Sequence, residues 1–150
     1  MRTVPAFPLL GEPDQWDALT LLAATVFLEA EGESDDGKVA VAWVAANRAA
    51  AANQSLQAVL MAPAQFSCWN ADYRPMAEAR LAGGGAVEEA CWRAAAAAMW
   101  RLTADPTQGA TFYLNPELTK KIRKKHDLPP WYDAAKVTAR IGRHEFLRLG

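Results

Sequence analysis

Histidine is scarce in this chain, with only His126 and His144. That count, with no HExxH segment, leaves a zinc amidase or peptidase without a recognisable ligand set. Cysteine is just as scarce. Cys68 and Cys91 make neither a disulfide framework nor a zinc spacing. They read as two buried thiols, or as one bridge if the protein works outside the cytoplasm. Ser67 or Cys68 with His144 stays open as a nucleophile–base pair, although no nucleophile motif surrounds them. Gly83-Gly84-Gly85 lacks the following Lys-Ser/Thr of a phosphate loop. No apolar run approaches the roughly 20 residues of a membrane span, so no membrane insertion is expected. Met1 to Asp17 holds one arginine and no long apolar core, and so does not read as a signal peptide. The expected location is cytoplasmic until release, or borne on a particle.

What is present suits one folded domain. At 150 residues and 51% hydrophobic, the chain can bury a single core, here a mostly helical one rich in alanine. The small net charge of −1 hides an asymmetry: residues 1–117 carry a balance of −7 and residues 118–150 one of +6. The tail therefore offers cations to an anionic partner. Lys120-Lys121-Ile122-Arg123-Lys124-Lys125 is its strongest run and reads first as a solvated helix face. No aromatic interleaving supports a nucleic-acid role.

In chain order, Pro5, Pro8, Gly11 and Pro13 predict an extended arm over 1–13, ahead of a domain over 14–150. Asp14 is a good N-cap, and the spacing of Trp16, Leu19, Ala23, Val26, Phe27 and Ala30 predicts a helix from Gln15 to Ala30. Gly32 is placed to end it. Ser34 and Asp35 cap a second helix that runs to the alanines at 49–52. Its apolar residues cover much of its circumference, so it is expected to be the most buried. Shorter helices are predicted at Leu56–Met61 and 74–82, and a longer one at Ala86–Thr103. Thr111–Leu114 reads as a strand, and Val137–Ile141 with Glu145–Leu147 as a hairpin turned at Gly142-Arg143. Helices first and a small antiparallel sheet late is an α+β order.

Glu29-Ala30-Glu31-Gly32-Glu33 is the segment with chemistry in it. Glu29 shares a helix face with Leu22, Thr25 and Val26, so a carboxylate projects from an apolar wall. Glycosidic cleavage needs one carboxylic acid to protonate the leaving oxygen. Such an acid stays protonated in an apolar or like-charged setting. The other reading is a spare glutamate at a helix end.

Several segments together resemble the SleB-like cell-wall hydrolases, the family of the spore-cortex-lytic enzymes and of phage and prophage relatives. Glu29-Ala30-Glu31-Gly32-Glu33, with Gly37 through Asn47-Arg48, is similar to the opening pattern Glu-Ala-Arg-Gly-Glu and Gly-x-x-Ala-Val-Ala-x-Val-x-x-Asn-Arg. Gln65-Phe66-Ser67-Cys68-Trp69 resembles the family's Gln-Phe-Ser segment. Gly109 to Pro116 resembles Gly-Ala-Thr-x-Tyr-x-Asn-Pro, and Trp131 and Ile141 to Phe146 match the ending. The resemblance spans about residues 18–147.

It implies a lysozyme-like α+β domain that cleaves the β-1,4 bond between N-acetylmuramic acid and N-acetylglucosamine. The usual outcome is lytic transglycosylase chemistry, with no metal and no cofactor. The expected setting is a phage or prophage endolysin, with peptidoglycan glycan strands as partner and a monomer as the working unit. Glu29 is the implied acid. Gln65, Phe66 and Trp69 are expected to line a sugar subsite. Tyr113 is expected either to steady the substrate or to sit in the core with its hydroxyl on a backbone partner. Glu33 either orients backbone or substrate or serves the dipole of the second helix. His144 is expected to hold the hairpin to the body rather than act as a base, and Asn47 and Arg48 to be structural helix-end groups. Two positions depart from the family pattern: Glu31 stands in place of arginine, and Phe112 where histidine is frequent. A hydrolytic muramidase on the same scaffold and a non-catalytic envelope-binding protein are the alternatives.

Overall fold

A computed structural model describes residues 16–62, 66–69, 81 and 87–149. The arm over 1–13, Gln65, Gly83-Gly84-Gly85 and nearly all of the helix expected at 74–82 lie outside the described residues. Among the described residues five α-helices have full bounds, in order: α1 (Ala18–Ala30), α2 (Asp35–Ala52), α3 (Leu56–Met61), α4 (Glu88–Met99) and α5 (Pro116–Ile122). A short 3₁₀ turn, Ser67–Trp69, lies between α3 and α4. Three strands, β1 (Phe112–Leu114), β2 (Val137–Ile141) and β3 (His144–Leu147), make an antiparallel sheet in the order β1-β3-β2. The α+β arrangement expected from the sequence is the one observed.

Helix α1 begins later than its periodicity suggests, because Asp17 caps it; Asp14 lies outside the described residues. Asp17 accepts the Thr20 N–H at 2.8 Å and the Thr20 hydroxyl at 2.9 Å. The Thr20 backbone bond holds the Asp17 carboxyl below its ordinary range. Every residue from Thr20 to Leu28 is buried. So α1, rather than α2, is the central helix. Only the first half of α2 packs inward, and Ala50, Ala51 and Ala52 are exposed. An alanine run fills a helix but buries too little area to demand a core place.

Glycine has a different part in the α1–α2 turn from the one expected. Gly32 meets nothing and has no left-handed φ. The turn is closed by Glu33 N–H to the Ala30 carbonyl at 3.0 Å, and by the buried Lys38 ammonium on the Glu33 carbonyl. Gly37 is the glycine the turn needs, since a Cβ there would lie 3.0 Å from the Glu33 Cβ. Helix α4 also stops early. Arg101 adopts a left-handed φ of 51°, and Leu102 N–H returns to the Ala97 carbonyl at 2.9 Å, the long-range bond of a Schellman helix ending.

Helices α1, α2, α3 and α4 enclose the main core, with Trp69 buried edge-to-face on Trp16 at 6.1 Å. Cys68 and Cys91 are both free thiols, and burial pushes the Cys91 thiol up to about 11. A second, smaller core joins the sheet to α2 through Ala40, Val44, Ala110 and Phe146. This junction decides where the strand side chains point.

Candidate functional site

Side chains alternate across a strand, so His144 and Phe146 share one face of β3. Tyr113 lies opposite Phe146 in register and joins that face. The rings pack accordingly. Tyr113 stacks on Phe146 at 5.9 Å and meets His144 edge-on at 5.3 Å. Phe146 is fully buried against α2, so this ring cluster is fixed from behind.

Glu29 comes to the cluster from the last turn of α1. It is half-buried, and its charge acts on the Tyr113 hydroxyl. Burial, and then the Glu29 charge, hold that hydroxyl well above the ordinary tyrosine range. Tyr113 therefore remains a hydroxyl donor at working pH. Glu33 arrives from the α1–α2 turn. Its Oε1 lies 2.6 Å from His144 Nδ1, a close polar contact without the alignment of a hydrogen bond. The same oxygen lies 3.9 Å from where a Cβ on Gly142 would stand, and Gly142 turns the hairpin with a φ of 60°. The hairpin tip is thus laid on Glu33.

Arg48 closes the group from α2. Its guanidinium carbon is 4.9 Å from the centre of the Phe66 ring and 4.6 Å from that of Phe112. Its Nε donates to the Thr111 carbonyl. Burial depresses the Arg48 pKa, while the Tyr113 and Glu29 charges support the cation.

The neighbouring Asn47 binds the loop that feeds β1. Its Nδ2 donates to Asp105 Oδ2 at 2.8 Å and to the Ala110 carbonyl at 2.9 Å. The three helix-side segments and two strands that supply Glu29, Glu33, Arg48, Tyr113 and His144 are therefore tied to one another around one point. Among the described residues no group of three or more His, Cys, Asp or Glu could hold a metal ion.

This arrangement can be set beside known proteins. The sequence model described as Cell Wall Hydrolase matches residues 32–147. The chain belongs to the cell wall hydrolase family. Its structure is also similar to the crystal structure of the catalytic domain of the Bacillus cereus SleB protein, with a TM-score of 0.65 and 25% identity over 94% of each chain. No curated protein sequence matches it. The match to the family begins at residue 32, just after Glu29, so Glu33, Arg48, Tyr113 and His144 lie within it and Glu29 does not.

In this cell wall hydrolase the structure brings together four of the residues singled out from the sequence: Glu29, Glu33, Tyr113 and His144. Phe66 and Trp69 are placed differently from an open sugar platform. Phe66 is 2% exposed and lies under Arg48. Trp69 is 4% exposed, and its Nε1 donates to Thr25 Oγ1 at 2.8 Å. Both aromatics answer a demand of the core, Trp69 by filling it and Phe66 by backing the half-buried Arg48 cation. Arg48 and Lys38 were not foreseen as contributors. The signal for Arg48 was available: Val41, Val44 and Arg48 fall at i, i+3 and i+7, so the arginine continues a buried stripe.

His144 gives this hydrolase a pH dependence of stability. Burial lowers the His144 pKa, against the opposing pull of Glu33 and Glu29. The groups facing it are Glu33 from the turn, Glu29 from α1 and Tyr113 from β1. With the folded value below the unfolded value of about 6.5, the unfolded chain takes the proton first on acidification. The contribution is full above about pH 6.5 and is lost as pH falls toward the lower folded value. Urea unfolding of the parent should therefore weaken between pH 7 and pH 5 more than that of His144→Gln. Equal losses in the two proteins would show that His144 is not the group responsible.

Proposed function

We propose that this cell wall hydrolase cleaves the β-1,4 bond between N-acetylmuramic acid and N-acetylglucosamine in peptidoglycan, as a lytic transglycosylase. The observation that carries the reading is Glu29, delivered by an otherwise apolar helix to a tyrosine hydroxyl and an arginine. In the first step the Glu29 O–H bond breaks and its proton passes to the glycosidic oxygen. The bond from that oxygen to muramic C1 breaks, and its electron pair stays on the oxygen. The C6 hydroxyl of the same muramic residue closes on C1, and its proton returns to the Glu29 carboxylate. The product is a 1,6-anhydro end, with no water consumed. Tyr113, kept as a neutral hydroxyl, orients the Glu29 carboxyl between its two roles.

Inverting hydrolysis needs a second carboxylate to activate water across the ring. Glu33 is the other carboxylate of the site, and it is engaged by His144. This favours the intramolecular route over water. The exposed Lys120, Lys121, Lys124 and Lys125, on and just after α5, supply attraction to anionic wall polymers. The reading extends to a phage or prophage lysin, the setting that the family resemblance implies.

The test is digestion of purified peptidoglycan in heavy-oxygen water, followed by mass spectrometry of the fragments. Anhydro-muramic ends without the heavy label are expected. Labelled reducing ends would mean a hydrolase. The absence of any glycan fragments would remove the enzymatic reading.

A further inference from the structure

Arg48 is held more firmly than a helix-end arginine needs to be. Its guanidinium lies between the rings of Phe66 and Phe112, and its Nε is bonded to the Thr111 carbonyl. Phe112 is the strand neighbour of Tyr113, so the clamp is built onto the strand that carries the tyrosine. Trp131 packs on Phe112 at 5.1 Å and supports that ring in turn. Four aromatic or guanidinium planes thus run in series, Trp131, Phe112, Arg48 and Phe66.

The charge so held acts on Glu29 and on Tyr113. Other side chains do not replace it. Lys38, the buried cation at the start of α2, is on the Glu33 carbonyl. Glu31, which stands where the family pattern has arginine, is exposed, and its charge is felt at Cys91. His144 faces Glu29 but is held toward its neutral form by burial. Among the described residues, Arg48 is the permanent cation whose charge reaches Glu29.

We propose that Arg48 is a positioning residue for the Glu29–Tyr113 pair, a fixed cation that stabilises the carboxylate left when Glu29 gives up its proton. The inference rests on the reading of Glu29 as the acid. A cation clamped before the reaction needs no reorganisation as the negative charge appears on Glu29, which is the condition for electrostatic assistance. The same cation keeps the carboxylate directed at the Tyr113 hydroxyl when Glu29 later takes back a proton. Among the described residues, the charged and titratable groups facing Glu29 are Arg48 from α2, Tyr113 from β1 and His144 from β3, and Glu33 from the turn faces His144. Cys68, from the 3₁₀ turn, faces Tyr113.

The test compares Arg48→Gln and Arg48→Lys with the parent chain on purified peptidoglycan. Initial rates are read beside binding, which is followed by co-sedimentation with the same peptidoglycan. Arg48→Gln should lower the rate by about tenfold or more while leaving the bound fraction unchanged. Arg48→Lys keeps the charge and should recover only part of the rate, since an ammonium does not fill the space between two rings. Parental activity in Arg48→Gln, or no recovery in Arg48→Lys, would overturn the proposal. If Arg48→Gln does not fold, Phe112→Leu opens one wall of the clamp and leaves the charge. A reduced rate at unchanged binding is then expected, and a parental rate would overturn the proposal. Glu29→Gln measured alongside separates the two readings: if it is inactive while Arg48→Gln is parental, only the Arg48 assignment falls.

Discussion

Glu29→Gln is expected to slow cleavage of purified peptidoglycan by about a hundredfold to ten-thousandfold, the range typical of losing a positioned general acid. The substitution is nearly isosteric. The ring cluster of Tyr113, His144 and Phe146 is held by its own ring contacts and has no reason to move. Thermal stability should accordingly stay within about 0.5 kcal/mol of the parent. Glu33→Gln offers the contrast. Glu33 holds the hairpin tip through His144 and lies beside Gly142. Its loss should therefore appear first as a lower melting temperature and only secondarily as a lower rate. Turbidity loss of a peptidoglycan suspension, measured beside a thermal melt, distinguishes the two glutamates. A Glu29→Gln protein that clears the suspension at the parental rate would end the assignment of Glu29 as the acid.

Asp105→Ala is expected to be the most damaging substitution for stability outside the hydrophobic core. One carboxylate serves four donors: Oδ1 accepts Thr107 N–H at 2.8 Å and Thr107 Oγ1–H at 2.7 Å. Oδ2 accepts Asn47 Nδ2 at 2.8 Å and Gly109 N–H at 2.9 Å. The network continues, since Thr107 Oγ1 accepts Ala110 N–H at 3.2 Å and the Thr107 carbonyl accepts the Thr138 hydroxyl at 2.6 Å. Removing the carboxylate leaves several partly buried donors without an acceptor, at roughly 1–3 kcal/mol for each group that cannot find water. A loss of about 2–4 kcal/mol overall follows if half of them rehydrate. That corresponds to a melting temperature lower by roughly 5–15 °C for a chain of this size.

The pH behaviour of this variant has a definite sign. Burial alone would raise the Asp105 carboxyl, but the hydrogen bonds from Asn47, Thr107 and Gly109 outweigh it and hold the group below its ordinary range. Its stabilising contribution is therefore present above the unfolded value of about 3.9 and is lost as pH falls through the lower folded value. The difference between parent and Asp105→Ala should shrink below about pH 4. Asp105→Asn should recover only part of the loss, because both oxygens face donors and the amide nitrogen would oppose one pair. A parental melting temperature in Asp105→Ala at pH 7 would show that the network contributes little. The same variant should also lower activity, because Asn47 and the 105–110 loop set the entry of β1 and hence the place of Tyr113.

Much of the site was legible before the fold was known, though not all for the same reason. Glu29 could be placed because a carboxylate at the end of an apolar helix face is visible in the spacing of Leu22, Val26 and Glu29. The hairpin of β2 and β3 could be placed because Gly142 sits between two runs of strand period. His144 was expected to fasten the hairpin to the body, and it does so on Glu33. The pairing of β1 with β3 was not legible, since a sheet order of β1-β3-β2 puts strands together that are not consecutive in sequence. The aromatics were the hardest. Phe66 and Trp69 carry no mark in the sequence that separates an open sugar platform from buried packing, and the structure packs both.

The sequence by itself determined the local features of this protein: which segments form helices, which strand faces alternate, and where the hairpin turns. These depend on residues within a few positions of one another, so their spacing is enough. Only the tertiary structure decided which polar groups meet. Positions 29, 33, 48, 113 and 144 lie on separate elements, and separation along the chain carries no distance between them. That Glu29 faces Tyr113 and a clamped Arg48, while Glu33 is taken by His144, follows from the packing of the sheet onto α2 through Phe146, Val44 and Ala40.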